Sequence, residues 1–309
     1  MQTRVRLMAV MFALVILLAG SASVLAQDIS CTVCHDDSTL ITGKQAGLSE
    51  AVHGTGEAYV RGTSASCAGC HSGGAFSAMV AQGLRPDQVE AGDPNPTRQD
   101  CRTCHAVHTS YTEADWALET TAPVNIYAFG EDVMFDGGKG NLCANCHQPR
   151  RQIAAPDPND TIAVTSTHWG PHHGPHSAML LGIGGAGDVT GKESFHSRMV
   201  ADTCVSCHIG PDMVHTFEAI TSGCAECHGE DFDIDAKQAE VEALIVELHD
   251  LLEAKGLYHD GHPVVGIYPS AQAQALWNYI FISVEDGSLG VHNPGYTKDL
   301  LEASIAALQ

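Results

Sequence analysis

The sequence predicts a mainly α chain with extensive irregular loops, a core supplied largely by bound groups, and C-terminal helices packed on it. Three observations predict this. All twelve cysteines fall into one repeated five-residue pattern. Aromatic content is low, at 6% of 309 residues. From about residue 236 the hydrophobic spacing changes to that of an amphipathic helix.

The N-terminus reads as a secretory signal over residues 1–26. Arg4 and Arg6 form a charged start, "LMAVMFALVILLAG" (7–20) an apolar run too short for a comfortable membrane span, and "VLA" (24–26) a cleavage site before Gln27. An uncleaved anchor is the alternative. No second apolar run reaches transmembrane length, so no span is expected in the mature chain. The formal charge is −22. That argues against nucleic acid, which needs a basic face, and is compatible with cationic partners or charged cofactors.

Export normally implies disulfides, but the cysteine spacing overrides that reading. The pairs are Cys31/Cys34, Cys67/Cys70, Cys101/Cys104, Cys143/Cys146, Cys204/Cys207 and Cys224/Cys227. Each is C-x-x-C followed at once by histidine: His35, His71, His105, His147, His208 and His228. C-x-x-C-H is the attachment signature of c-type haem. Two thiols add across the two vinyl groups of one macrocycle, and the adjacent imidazole reaches the iron from the same side. A disulfide scaffold leaves the histidines unexplained, and zinc ribbons need no histidine after the second cysteine. Six covalently bound haem c groups are therefore expected, and their apolar discs replace side chains as core.

The motifs divide the chain. Starts at 31, 67, 101 and 143 are evenly spaced and mark an N-terminal four-haem region, 27–150. Residues 151–235 hold a His-rich insert, "HWGPHHGPH" (168–176), and a tight pair of motifs. Residues 236–309 carry no motif. Val241, Leu244, Ile245, Leu248, Leu251 and Leu252 recur at helical spacing, and 271–282 and 296–308 read as two further helices that pack on the haems. The Gly-rich stretch 181–188 reads as loop.

From 190 onward the chain resembles the multihaem superfamily of cytochrome c nitrite reductase and hydroxylamine oxidoreductase. The matching order is a histidine before a motif ("FHSRMVADTCVSCH"), a histidine between two close motifs ("MVHTFEAITSGCAECH") and a His-x-Pro near the C-terminus ("GVHNPGYTKDLLEASI"). The resemblance implies that His196, His215 and His292 are distal haem ligands. The nitrite reductases usually hold their catalytic haem by C-x-x-C-K, and this sequence has no such motif.

Six low-spin haems need six distal ligands. His53 and His108 are candidates from the first half. His108 lies three residues past His105 and so serves a neighbouring haem. The sixth is expected from the insert, at His168, His172 or His173, with His168 and His172 ranked first. Gly170, Pro171, Gly174 and Pro175 break a helix there, which disfavours an H-x-x-x-H zinc pair. The spare histidines suit proton donors or propionate contacts. His249 sits on a helix and reads as packed or solvated, His259 and His262 ("YHDGHP") read as solvated in a loop, and Met79, Met179, Met199 and Met213 are not needed as ligands.

Two functions fit. The first is an exported, periplasmic or extracellular hexahaem cytochrome that carries electrons through mostly bis-His haems. Its partners would be redox proteins, either other cytochromes or a membrane quinol oxidoreductase, and self-assembly is open to it. The alternative is a multihaem oxidoreductase of small nitrogen or sulfur compounds with one open haem.

Overall fold

The computed structural model describes residue 35 and residues 39–309. The signal segment and Cys31 and Cys34 lie outside the described residues. The chain is mainly helical with long irregular connections, and its strands form only two-stranded pieces among the described residues.

The longest helix, Ile234–Ala254, starts where the Asp233 carboxylate accepts the Ala236 N–H at 2.9 Å, which satisfies a donor that a helix start leaves unpaired. Its apolar stripe buries Ile245, Leu248 and Leu252. It ends at Gly256, whose φ of +70° lets the Leu257 N–H turn back to the Leu252 carbonyl. The helices Ser270–Tyr279 and Pro294–Leu308 pack on it and share one core that includes Trp277, Phe281, Leu300 and Leu301. The strand Thr161–Val164 pairs antiparallel with Gly266–Pro269, Ile162 opposite Tyr268, and ties the insert to this core. Trp169 is buried there edge-on to Trp277, at 5.1 Å. The tryptophan of the His-rich stretch is thus its anchor.

Two features of the C-terminal segment set the position of His292. Ser270–Tyr279 runs on into wider π-type turns over Ile280–Asp286, a rare geometry that recurs at functional sites. Asn293 then caps the last helix. Its amide donates to the Met179 and Lys192 carbonyls at 3.0 and 2.9 Å, so His292 is held between two fixed points.

The N-terminal half has small side-chain cores, one around Phe76, Met79 and Leu142 and one around Ile126 and Phe135. Met79 and Met179 are buried among apolar side chains. Each described motif contributes to a short helical turn, among them Ala65–His71, Cys101–Cys104 and Cys204–His208. A helical turn puts residues i, i+3 and i+4 on one face, which is where both thiols and the imidazole of C-x-x-C-H must lie.

The sequence places the His-rich stretch wholly in loop. Its last residue, His176, instead heads a short helix, His176–Leu181. His259 and His262, expected in a loop, lie on the hairpin Tyr258–His259/His262–Pro263.

Candidate haem-binding sites

Two imidazoles on opposite faces of one metal ion, each about 2 Å from it, place their ring centroids roughly 6 Å apart. Their planes are free to twist about the shared axis. Each motif histidine has one partner at that separation. The pairs are His35/His108 at 6.1 Å, His71/His172 at 6.1 Å, His105/His215 at 6.3 Å, His147/His53 at 5.9 Å, His208/His292 at 6.4 Å and His228/His196 at 6.2 Å.

The second ring nitrogen carries independent information, because a metal-bound histidine almost always donates its other N–H. Nδ1 of His105 donates to the Trp116 carbonyl, of His196 to Val291, of His208 to Phe217 and of His215 to Met213, all at 2.7–2.8 Å. Nδ1 of His147 meets Nδ1 of His176 at 3.0 Å, and Nδ1 of His292 donates to the Asp286 carboxylate at 2.7 Å. In all six Nε2 is the nitrogen left for a metal.

Protonation agrees with this. Burial holds His53, His71, His147, His172 and His215 below the ordinary imidazole range, His172 at about 4. They are neutral at neutral pH, the form that binds iron. His292 differs. Burial pulls it down, but the charge and hydrogen bond of Asp286 outweigh that and raise it.

Along four of these pairs, His71/His172, His147/His53, His208/His292 and His228/His196, runs a cavity of about 2490 Å³, lined by cysteines or histidines of five motifs and also by His176. That is several times the ~300–1,000 Å³ of a pocket for one small molecule. Val52, Phe195 and Met199 line it with 82%, 73% and 76% of their surface exposed, an apolar wall left largely open, with the Arg198 guanidinium over the Phe195 ring at 4.6 Å. Ser177 Oγ, buried and without a partner, lines it too. Large apolar discs with polar edges fit such a space.

Of the three histidines expected to supply the sixth partner, His172 is the one beside a motif histidine. It takes a φ of +86°, a left-handed conformation that histidine tolerates better than most residues. His168 faces His262 instead, at 5.9 Å, and His173 bonds Glu285 at 2.6 Å. His249 packs against Tyr258 and Tyr279. Met213 takes part through its carbonyl, which accepts from His215. Sequence reasoning passed over His176 as a partner of His147, and it missed Asp286. The signal for Asp286 was present: an acid six residues before a candidate ligand, with Gly287 and Gly290 between them to fold the chain back.

Neighbouring motifs touch. The Cys146 thiol donates to the Cys70 carbonyl and the Cys70 thiol to the Asn145 carbonyl, both at 3.9 Å, and the Cys204 thiol reaches the Gly140 carbonyl, three residues before Cys143, at 3.9 Å. Among the described residues, all ten motif cysteines are free of disulfides.

The arrangement is that of a multihaem c-type cytochrome fold. Among solved structures the chain is similar to the outer cell wall cytochrome OcwA, with 21% identity over 86% of this chain and a TM-score of 0.57. It spans 50% of the length of that protein. An undecahaem cytochrome from the S-layer of Carboxydothermus ferrireducens aligns at a TM-score of 0.44, with 19% identity over 79% of this chain and 38% of that one. No family model and no curated protein matches the sequence.

Proposed function

We propose that the chain binds six haem c groups, each between a motif histidine and a second histidine, and conducts electrons through them outside the cytoplasmic membrane. One observation carries this reading: every motif histidine faces a partner ring at 5.9–6.4 Å. One haem per site would supply a one-electron iron couple. Both histidines of each pair would bind the iron and so keep substrate off it. The oxidoreductase alternative needs one motif histidine without a partner ring, and the pairing therefore favours conduction.

The order of sites follows from shared residues. His105 and His108 lie on one short segment and join the His35 and His105 sites. Phe217 touches both His53 and His215, at 4.7 and 6.1 Å, and joins the His105 and His147 sites. The thiol contacts attach the His71 and His208 sites to the His147 site. His196 donates to the carbonyl of Val291, next to His292, and so joins the His228 and His208 sites. The proposed path runs 35–105–147–208–228, with the His71 site branching at His147. Arg150 acts electrostatically on both His71 and His172 and supplies a cation for a propionate there.

Among the described residues no helix is long and apolar enough to cross a membrane. The signal segment and the fold shared with an outer cell wall cytochrome support an exported, cell-surface location. The acidic surface would steer the chain to basic faces of redox partners. Carry-over of the nitrite reductase and hydroxylamine oxidoreductase pattern is limited to His196, His215 and His292. The test is an electron paramagnetic resonance spectrum of the oxidised protein with its intact mass. Six haem additions and only low-spin signals are expected. A high-spin haem in the parent protein would favour the oxidoreductase.

A further inference from the structure

We propose that Asp286 is a positioning residue that acts through His292 to lower the reduction potential of the iron at the Cys204/Cys207 site, making that site the low-potential step of the chain. The proposal rests on the reading of His208 and His292 as the ligands of that iron.

The geometry is specific to this site. His105, His196, His208 and His215 give their Nδ1 protons to neutral main-chain carbonyls, and His147 is paired with another imidazole. Among the described residues, His292 is the one member of the six pairs bonded to a carboxylate, with Asp286 Oδ1 at 2.7 Å. The Asp286 side chain is 1% exposed and that of His292 is 19% exposed. Little water screens the pair, and a charge-assisted hydrogen bond is stronger in such surroundings.

A full negative charge accepting the Nδ1 proton gives the imidazole anionic character and makes Nε2 a better donor. Ferric iron carries one more positive charge than ferrous and gains more from that donor, so the couple shifts to lower potential. A neutral carbonyl at the same distance has a weaker effect. Asp286 Oδ2 is shared with Ser288, which donates through both its hydroxyl, at 2.5 Å, and its N–H, at 3.3 Å. Ser288 therefore draws off part of the carboxylate charge that His292 would otherwise receive.

The fold fixes this pair. Asp286 closes the π-type turns, and Gly287, Leu289 and Gly290 all take positive φ, so the chain doubles back and sets His292 against it. Such backbone conformations persist only where the surrounding structure holds them.

The experiment is a spectroelectrochemical titration of the full-length haem-loaded protein and its variants, with intact mass and paramagnetic resonance on each. In Asp286→Asn one of the six one-electron transitions should move up by at least tenfold in its equilibrium constant, about 59 mV. One low-spin signal should change its g values while six haems remain. Ser288→Ala should move the same transition the other way, by a smaller factor of about two to three. A merely structural role gives no such opposite signs. Asp286→Glu should restore a low potential. If Asp286→Asn does not mature, the downward shift in Ser288→Ala carries the test. Unmoved potentials in a six-haem, low-spin Asp286→Asn protein, or in Ser288→Ala, overturn the role of Asp286. Failure of the underlying reading looks different: His292→Ala would then produce no high-spin haem.

Discussion

His172 faces His71 with ring centroids 6.1 Å apart, while His168, four residues earlier in the same loop, faces His262. The two histidines are alike in sequence context and differ in what the fold puts opposite them. His172→Ala should leave one haem five-coordinate, with a high-spin signal and carbon monoxide binding at one site per chain on reduction. His168→Ala should leave both measurements at the parent level. Equal behaviour of the two variants would remove the assignment of His172.

Gly174 is required beside the His147 site. It sits at φ +75°, and a Cβ there would lie 2.8 Å from Nδ1 of His147. Gly174→Ala should therefore cost about 1–3 kcal/mol in denaturant unfolding, since strain and close contact act together. It should also disturb the His147–His176 hydrogen bond, which would show as a change in one low-spin signal. A variant with parent stability and spectrum would contradict the close approach.

Asp115 holds the loop that carries His108. Its carboxylate accepts from the Ser110 hydroxyl and N–H, both at 2.6 Å, and from the Tyr111 N–H at 2.9 Å. The Ser110 hydroxyl contributes most to holding its pKa below the usual carboxylate range. A depressed folded-state pKa stabilises above the unfolded value of about 3.9, and the contribution is lost as pH falls through the folded value. Asp115→Asn should thus melt at a lower temperature than the parent at pH 7, and the gap should close as the medium becomes strongly acidic. A gap that persists unchanged at low pH would assign the effect to packing rather than charge.

Leu248 is fully buried in the C-terminal helical core. Leu248→Ala should lower stability by about 2–5 kcal/mol through lost burial and the remaining cavity. Leu248 does not line the haem cavity, so the variant should still add six haems by mass. Loss of haem in a folded variant would mean that the helices and the haem sites are coupled more tightly than their separate cores imply.

Much of the fold was legible because local chemistry dictates it. The three C-terminal helices follow from apolar spacing, and they occur at Ile234–Ala254, Ser270–Tyr279 and Pro294–Leu308. The first starts within two residues of the expected position. The extension of the second into π-type turns was not legible, since nothing in "IFISVED" departs from ordinary helical spacing. Nor was the start of a helix at His176, directly after two residues that break helices. There the chain gains tertiary contacts that propensity does not count: the Met179 carbonyl accepts from Asn293, and the Ser177 N–H donates to His147.

By itself the sequence determined the repeated pattern of six C-x-x-C-H units, and each unit among the described residues is a local arrangement built on a short helical turn. It also narrowed the second histidines to a short set. Only the tertiary structure decided which histidine stands opposite which motif, that the loop 168–176 offers His172 rather than His168, and that Asp286 lies behind His292. The physical reason is range. A motif imidazole is placed by its four preceding residues. A partner such as His215, 110 residues from His105, or His53, 94 residues from His147, is brought there by long-range packing that no local spacing records.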